Sequence, residues 1–303
     1  MCARDREGPG SPACEGSVTG RNLRQPRRGR YADDLDAGAR YLDLLEQTLT
    51  HTAYSQLDIG RPGGNPVSRR VVRALRRAGI VPLRMTSRDA AIRGVGRDWP
   101  VFAHTMVGVQ RLRHARRCVE TVLAEGVPGD LIEAGTWRGG VAMLMRATLD
   151  VHGDGGRLVY LADSFAGLPA PNGRAYPADA GARWHREPLL AVSADEVRAS
   201  FARLGLLDER VRFLEGLFAD TLPAVADRTW AIVRLDADMY ESTMDGLRCL
   251  WPGLAPGGFL LVDDYGAVEP CRRAVDDFRA EQGIRTPIQR TDWTGAWWRR
   301  EVG

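Results

Sequence analysis

From Gly129 onward, short apolar runs alternate with amphipathic stretches, and this rhythm constrains the fold more than any other feature. The runs are Leu131–Ile132, Leu158–Leu161, Val211–Leu214, Ala231–Leu235 and Phe259–Val262. None is long enough for a buried helix, and each is separated from the next by room for a helical crossover. Apolar runs of this kind are strands covered on both faces, the arrangement of a parallel sheet between helices. Ser193-Ala194-Asp195-Glu196 is a capping box and predicts the start of one crossover helix. Ile288 and Ala296-Trp297-Trp298, separated by Asp292 to Gly295, predict two further strands joined by a turn, antiparallel. The chain of 303 residues suits one large α/β domain, spanning 129–303, with an extension before it.

That extension, 31–128, reads as helical. Tyr41, Leu42, Leu44, Leu45 and Leu49 share one face of a short helix. Asn65-Pro66 predicts a second helix, carrying Val71, Val72, Leu75 and Ile80. A third is expected from about Thr105 to Ala124, with Val109, Leu112, Cys118, Val119 and Val122 on its buried side. These helices are expected to lean over the domain's cleft as a lid. Their apolar faces also offer an interface for a homo-oligomer. Residues 1–30 hold Gly, Pro, Ser and Arg with almost no apolar side chains, so they read as a disordered tail.

Composition removes several function classes. All 42 basic residues are arginine. Without lysine there is no Schiff base to pyridoxal phosphate, no Walker-A phosphate loop and no lysine general base. The net charge of +3 gives no reason to expect a nucleic-acid or membrane-surface partner. Five cysteines, at Cys2, Cys14, Cys118, Cys249 and Cys271, form no CxxC pair and read as reduced thiols. No apolar stretch is long enough to span a membrane, so the expectation is a soluble, cytoplasmic protein.

Three motifs carry chemistry. In the first, a strand ends in Glu133, and Gly135, Gly139 and Gly140 form a tight turn into a helix. Such a turn brings backbone N–H groups close to a ligand, and it is also what any α/β protein needs at that point. In the second, the next strand ends in Asp163, where Rossmann-like folds bind ribose hydroxyls. The glycine pattern lacks the Gly-x-Gly-x-x-Gly of dinucleotide enzymes. A nucleoside without pyrophosphate, such as S-adenosylmethionine, therefore fits better. In the third, one strand ends in Asp236-Ala237-Asp238 and the following one in Asp263-Asp264. Tips of neighbouring parallel strands share one edge, so Asp236, Asp263 and Asp264 are expected to converge. Converging carboxylates repel unless protonated or bridged by a cation, and hard oxygen ligands favour Mg²⁺ or Mn²⁺. Asp238 is the candidate general base; its alternative role is to cap the helix beginning near Glu241. The loop Tyr176–Pro188 reads as an acceptor lid, with Trp184, His185 and Tyr240 as candidate substrate contacts.

The stretches TMVGVQRL, ETVLAEGVPGDLIEAGTWRGG, LADSFAGLPAP, YPADAG, LDADMYESTMDGL and GGFLLVDDYGAV resemble the macrocin O-methyltransferase family. The resemblance implies a Rossmann-like class I methyltransferase fold, mostly parallel with an antiparallel C-terminal strand. It implies an S-adenosylmethionine- and Mg²⁺-dependent enzyme that methylates hydroxyls of deoxysugars in antibiotic biosynthesis. Glu133, Gly135, Thr136, Trp137 and Arg138 would surround the methionine part of the cofactor. Asp163 would hold the ribose with Ser164 beside it, Gly216 and Leu217 would lie near the adenine, and Thr105 and Met106 would close over the cofactor. Asp236, Asp263 and Asp264 match the family's metal ligands, and Asp238 its base. Related metal-dependent catechol methyltransferases use a lysine near the position of Asp238 or Met239, and this chain has no lysine. The competing readings are a metal-dependent nucleotide-sugar glycosyltransferase using Asp236-Ala237-Asp238, and a non-catalytic S-adenosylmethionine-binding protein.

Overall fold

The computed structural model describes residues 37–53, 57–60, 66–80, 84–87 and 90–302; the expected tail 1–30, with Cys2 and Cys14, and the Asn65 cap lie outside them. Helix α1 (Ala37–Leu49) is followed by β1 (Leu57–Gly60), α2 (Pro66–Arg77), β2 (Arg84–Ser87), α3 (Ala90–Val95) and α4 (Val109–Ala124). Then come β3 (Asp130–Ala134), α5 (Gly140–Val151), β4 (Val159–Asp163), α6 (Ala194–Arg203), β5 (Val211–Glu215) and α7 (Phe218–Thr221). The chain continues through β6 (Trp230–Leu235), α8 (Tyr240–Leu250), β7 (Leu254–Val262), α9 (Glu269–Glu281), β8 (Gln289–Arg290) and β9 (Ala296–Arg299).

The five apolar runs are β3 to β7, and they pair in parallel in one seven-stranded sheet of order β5-β4-β3-β6-β7-β9-β8. Strands β8 and β9 close its far edge antiparallel. Strand β6 is buried along its whole length, which is why its sequence shows no alternation. One face of the sheet is covered by α1, α4, α5 and α6, through Leu45, Leu112, Val119, Leu144 and Phe201. The other is covered by α8 and α9, through Met244, Leu247, Val275 and Phe278. Each fully buried Leu, Val or Phe removes enough apolar surface to contribute about 1.5–3 kcal/mol. The capping box at Ser193 is formed as expected, with Glu196 answering the Ser193 amide.

The segment before the sheet departs from a purely helical reading. Strands β1 and β2 pair antiparallel as a separate two-stranded sheet. Helix α4 begins at Val109 and not near Thr105, because Gly108 lies against the backbone of Gly96: a Cβ on Gly108 would sit 2.5 Å from the Gly96 nitrogen. Helix α4 packs in the same core as β3 and α5, so it is a layer of the sandwich.

The chain runs outward from β3 through β4 to β5, then returns to β6 on the other side of β3. The order therefore reverses between β3 and β6, and the crevice at that switch point is where open α/β sheets bind ligands. Register brings the tips level: Ala134 pairs with Leu235, and Leu235 with Val262. Gly135, Asp236 and Asp263 are the next residues on three adjacent strands.

Candidate active site

A cavity of about 310 Å³ opens at that edge. Met106, Gly135, Trp137, Asp163, Ser164, Gly216, Leu217, Asp236 and Asp238 line it, together with Gly167 to Ala170, Asn172, and Glu241, Ser242 and Asp245 of α8. Gly135 is required by both backbone and space. Its φ is +89°, and a Cβ there would stand 1.8 Å from the Asp236 carbonyl oxygen.

Asp163 braces the glycine loop. One carboxylate oxygen accepts from the amides of Thr136 (2.7 Å) and Trp137 (3.1 Å), and the other from the Phe165 amide (2.9 Å). Trp137 and Phe165 both have positive φ without being glycine, at +48° and +51°, so this carboxylate holds two unfavourable turns together. The Ser164 hydroxyl donates to the Gly167 carbonyl. Several residues assigned to the cofactor from sequence stand behind the cavity wall. Glu133 accepts from the Ala142 amide and from Arg234, which makes it a cap for α5. Arg138 donates to the carbonyls of Val101 and Ala103 and lies over the Trp137 ring. Thr105 is buried, its hydroxyl accepting from the Val107 amide.

The carboxylates of Asp236, Asp238 and Asp264 come together, with oxygens within 4.8 Å of one another. The sequence reading put Asp263 in that group. In the structure Asp238 stands there, because both Asp263 oxygens are taken by guanidinium groups. Arg111 donates to one and Arg234, at 2.5 Å, to the other. Arg234 also reaches Glu133 (2.7 Å) and Asp236 (3.0 Å), and Arg111 reaches Asp292 (3.0 Å). Neither arginine was singled out from sequence. The available signal for Arg234 was a lone charge inside an otherwise apolar buried strand.

Two guanidinium groups thus face Glu133, Asp236, Asp263 and Asp292, and among the described residues neither Asp238 nor Asp264 has an ion-pair partner. One Asp264 oxygen is buried with no hydrogen-bond partner. Burial first, then the charges of Asp236 and Asp263, push the Asp238 carboxyl up to about 7. Burial and the neighbouring acids raise Asp264 well above the usual carboxylate range. A surplus of half-buried carboxylates with one buried, unpartnered oxygen is a hard-oxygen donor set that suits a divalent cation.

Asp263→Asn tests the arginine assignment. Uncoupling a buried carboxylate from its guanidinium partners costs about 3–5 kcal/mol. Urea unfolding should show a loss of that order. An unchanged midpoint would mean that Arg111 and Arg234 are satisfied without Asp263.

The acceptor candidates fall in different places. The Tyr240 hydroxyl donates to Asp277 at the surface, away from the cavity. Trp184 stacks against Trp99, with ring centroids 6.4 Å apart, in a separate cavity of about 540 Å³ that Arg183, Arg186 and Leu189 help to line. His185 accepts from Arg186 and does not line either cavity. Sequence reasoning also passed over Asp179. Its fully buried carboxylate accepts from the amides of Tyr240 (2.7 Å) and Glu241 (3.0 Å), so it and not Asp238 caps α8.

A reversing parallel sheet with antiparallel edge strands, a glycine turn after β3 and acids at the tips of β4, β6 and β7 is the arrangement of the class I, Rossmann-like methyltransferases. The chain belongs to the macrocin O-methyltransferase family, whose model matches residues 38–300. It is similar to the 8-demethyl-8-(2,3-dimethoxy-alpha-L-rhamnosyl)-tetracenomycin-C 4'-O-methyltransferase of Streptomyces olivaceus, 45% identical over 87% of this chain and 94% of that one. It is 47% identical to the demethyldecarbamoylnovobiocin O-methyltransferase of Streptomyces niveus, over 69% of this chain and 80% of that one. The solved O-methyltransferase NovP superposes with a TM-score of 0.75 at 40% identity, covering 88% of this chain and all of NovP. The chain is an O-methyltransferase, so the glycosyltransferase and non-catalytic readings of its acids fall away. No described helix is long and apolar enough to cross a membrane.

Proposed function

We propose that this enzyme transfers a methyl group from S-adenosylmethionine to a sugar hydroxyl of a glycosylated natural product, with a divalent cation held at the acid cluster. The observation that carries the reading is the meeting of Asp236, Asp238 and Asp264 beside a cavity that also exposes Asp163 and Gly135. The relative from S. olivaceus is named for a rhamnosyl acceptor, which supports a sugar as the methylated group.

The residues divide the work. Gly135, Trp137, Asp163, Gly216 and Leu217 form the wall suited to the cofactor, which supplies the methyl group. Asp236 and Asp264 fit a divalent cation such as Mg²⁺, which when bound offsets the surplus negative charge and makes an acceptor hydroxyl more acidic. Asp238 lines the cavity and takes the hydroxyl proton as oxygen attacks the methyl carbon and the sulfur–methyl bond breaks. Aligning the reactants within one enclosed space supplies much of the acceleration. Arg234 and Arg111 hold Asp236 and Asp263 in place.

Asp163→Ala separates the cofactor side from the acid cluster. The variant loses the brace on the glycine loop, so affinity for S-adenosylhomocysteine should fall by about tenfold or more, the scale of losing hydrogen bonds to a charged group. Calorimetric titration reads this directly, with Asp238→Asn as the comparison that should bind normally. Equal losses in the two variants would show that the cavity is not divided this way. Assays with rhamnosyl glycosides against their aglycones test the acceptor class, and methylation of the aglycone alone would sink it.

A further inference from the structure

We propose that Asp179 is a positioning residue that ties the acceptor loop to Asp238. The inference rests on the reading of Asp238 as the cavity's proton acceptor. Asp179 ends a short turn, Pro177–Asp179, in the loop between β4 and α6. Its carboxylate is fully buried, and both oxygens are committed to the first two amides of α8, at 2.7 and 3.0 Å. A helix is usually capped by the residue just before it. Here that residue, Met239, contributes no side-chain cap, and the cap comes from 61 residues away.

The span between these anchored amides and β6 is short. The Asp236 amide donates to the Ala134 carbonyl at 2.8 Å, which fixes one end. Asp179 fixes the other at Tyr240. Between them Asp238 has φ +54°, in the left-handed region that a residue with a side chain keeps only when its surroundings hold it there. The clamp by Asp179 is thus part of what aims Asp238 into the cavity. On the loop side the Asp179 amide donates to the Tyr176 carbonyl at 3.0 Å, and the Tyr176 amide to the Asn172 carbonyl at 2.8 Å. Asn172 lines the same cavity as Asp238. A continuous run of hydrogen bonds therefore joins the wall an acceptor would touch to the turn that presents the base.

The test compares full-length wild type with Asp179→Ala and Asp179→Asn. Hydrogen exchange is read on peptides covering 236–243, and kcat is measured with a rhamnosyl glycoside acceptor. Asp179→Ala should speed exchange across the whole span from Asp236 to Glu241. It should also lower kcat by about tenfold or more, in line with the cost of ångström-scale misplacement of a reacting group. S-adenosylhomocysteine affinity should stay within about twofold, since the cofactor wall is braced separately by Asp163. Asp179→Asn keeps one acceptor oxygen and should fall between; it carries the same comparison if the alanine variant does not fold. Faster exchange confined to the amides of Tyr240 and Glu241, with kcat unchanged, would overturn the proposal and leave a helix cap alone. If Asp238→Asn leaves turnover near normal, the reading of Asp238 as proton acceptor fails, and the exchange pattern still decides the coupling.

Discussion

Exhaustive chelation is expected to abolish methyl transfer, and added Mg²⁺ or Mn²⁺ to restore it. The expectation comes from charge that the protein does not balance. Arg234 and Arg111 serve Glu133, Asp236, Asp263 and Asp292, while Asp238 and Asp264 remain without an ion-pair partner among the described residues. Among the described residues protonation is the only relief on offer, and the Asp238 carboxyl is raised accordingly, to about 7. A carboxyl with a raised folded pKa holds an extra proton in the native state. Its contribution to stability is therefore lost as pH rises from about 4, the unfolded value, through about 7. In chelator the melting temperature should drop over that window. With Mg²⁺ present the drop should be smaller, and Mn²⁺ affinity should climb as pH rises towards 7, since binding then displaces fewer protons. Full turnover in exhaustively chelated enzyme, or identical melting profiles with and without Mg²⁺, would remove the cation from the site.

Strands β3, β4, β6 and β7 were legible because they are buried on both faces, so they appear as bare apolar runs such as Ala231–Leu235. The tips were legible for the same reason, since each run ends abruptly in an acid or a glycine. Side-chain direction was not. Asp263 and Asp264 are neighbours at one strand end, yet one turns to arginines and the other to the acid cluster. What turns them are Arg111, 152 residues away, and Arg234, 29 residues away, and no local pattern announces either. Strands β1 and β2 were missed because four residues each, Leu57–Gly60 and Arg84–Ser87, are too few to show a period. The role of Asp179 was hidden for a related reason. Capping boxes are read over three residues, as at Ser193, and a cap delivered across the cavity has no such signature.

Asp238→Asn is expected to lower turnover by about 10²-fold or more, the usual scale for losing a general base, while affinity for S-adenosylhomocysteine holds. An acceptor hydroxyl has to lose its proton as the methyl group arrives, and the chain offers few groups to take it. It has no lysine, and none of its histidines lines the cavity. Asp163 has its oxygens on three backbone amides, and Asp263 has both on arginines. Asp238 lines the cavity and has no ion-pair partner among the described residues. The competing role, capping the helix that follows, is already filled by Asp179. Asparagine keeps the size of the side chain and much of its hydrogen bonding but cannot accept the proton, so the loss should fall on turnover. Mn²⁺ affinity in the same variant divides two accounts of the residue. Affinity close to wild type leaves Asp236 and Asp264 as the ligands and Asp238 as the base. A large loss would make Asp238 a third ligand, and near-normal turnover would mean that solvent removes the proton.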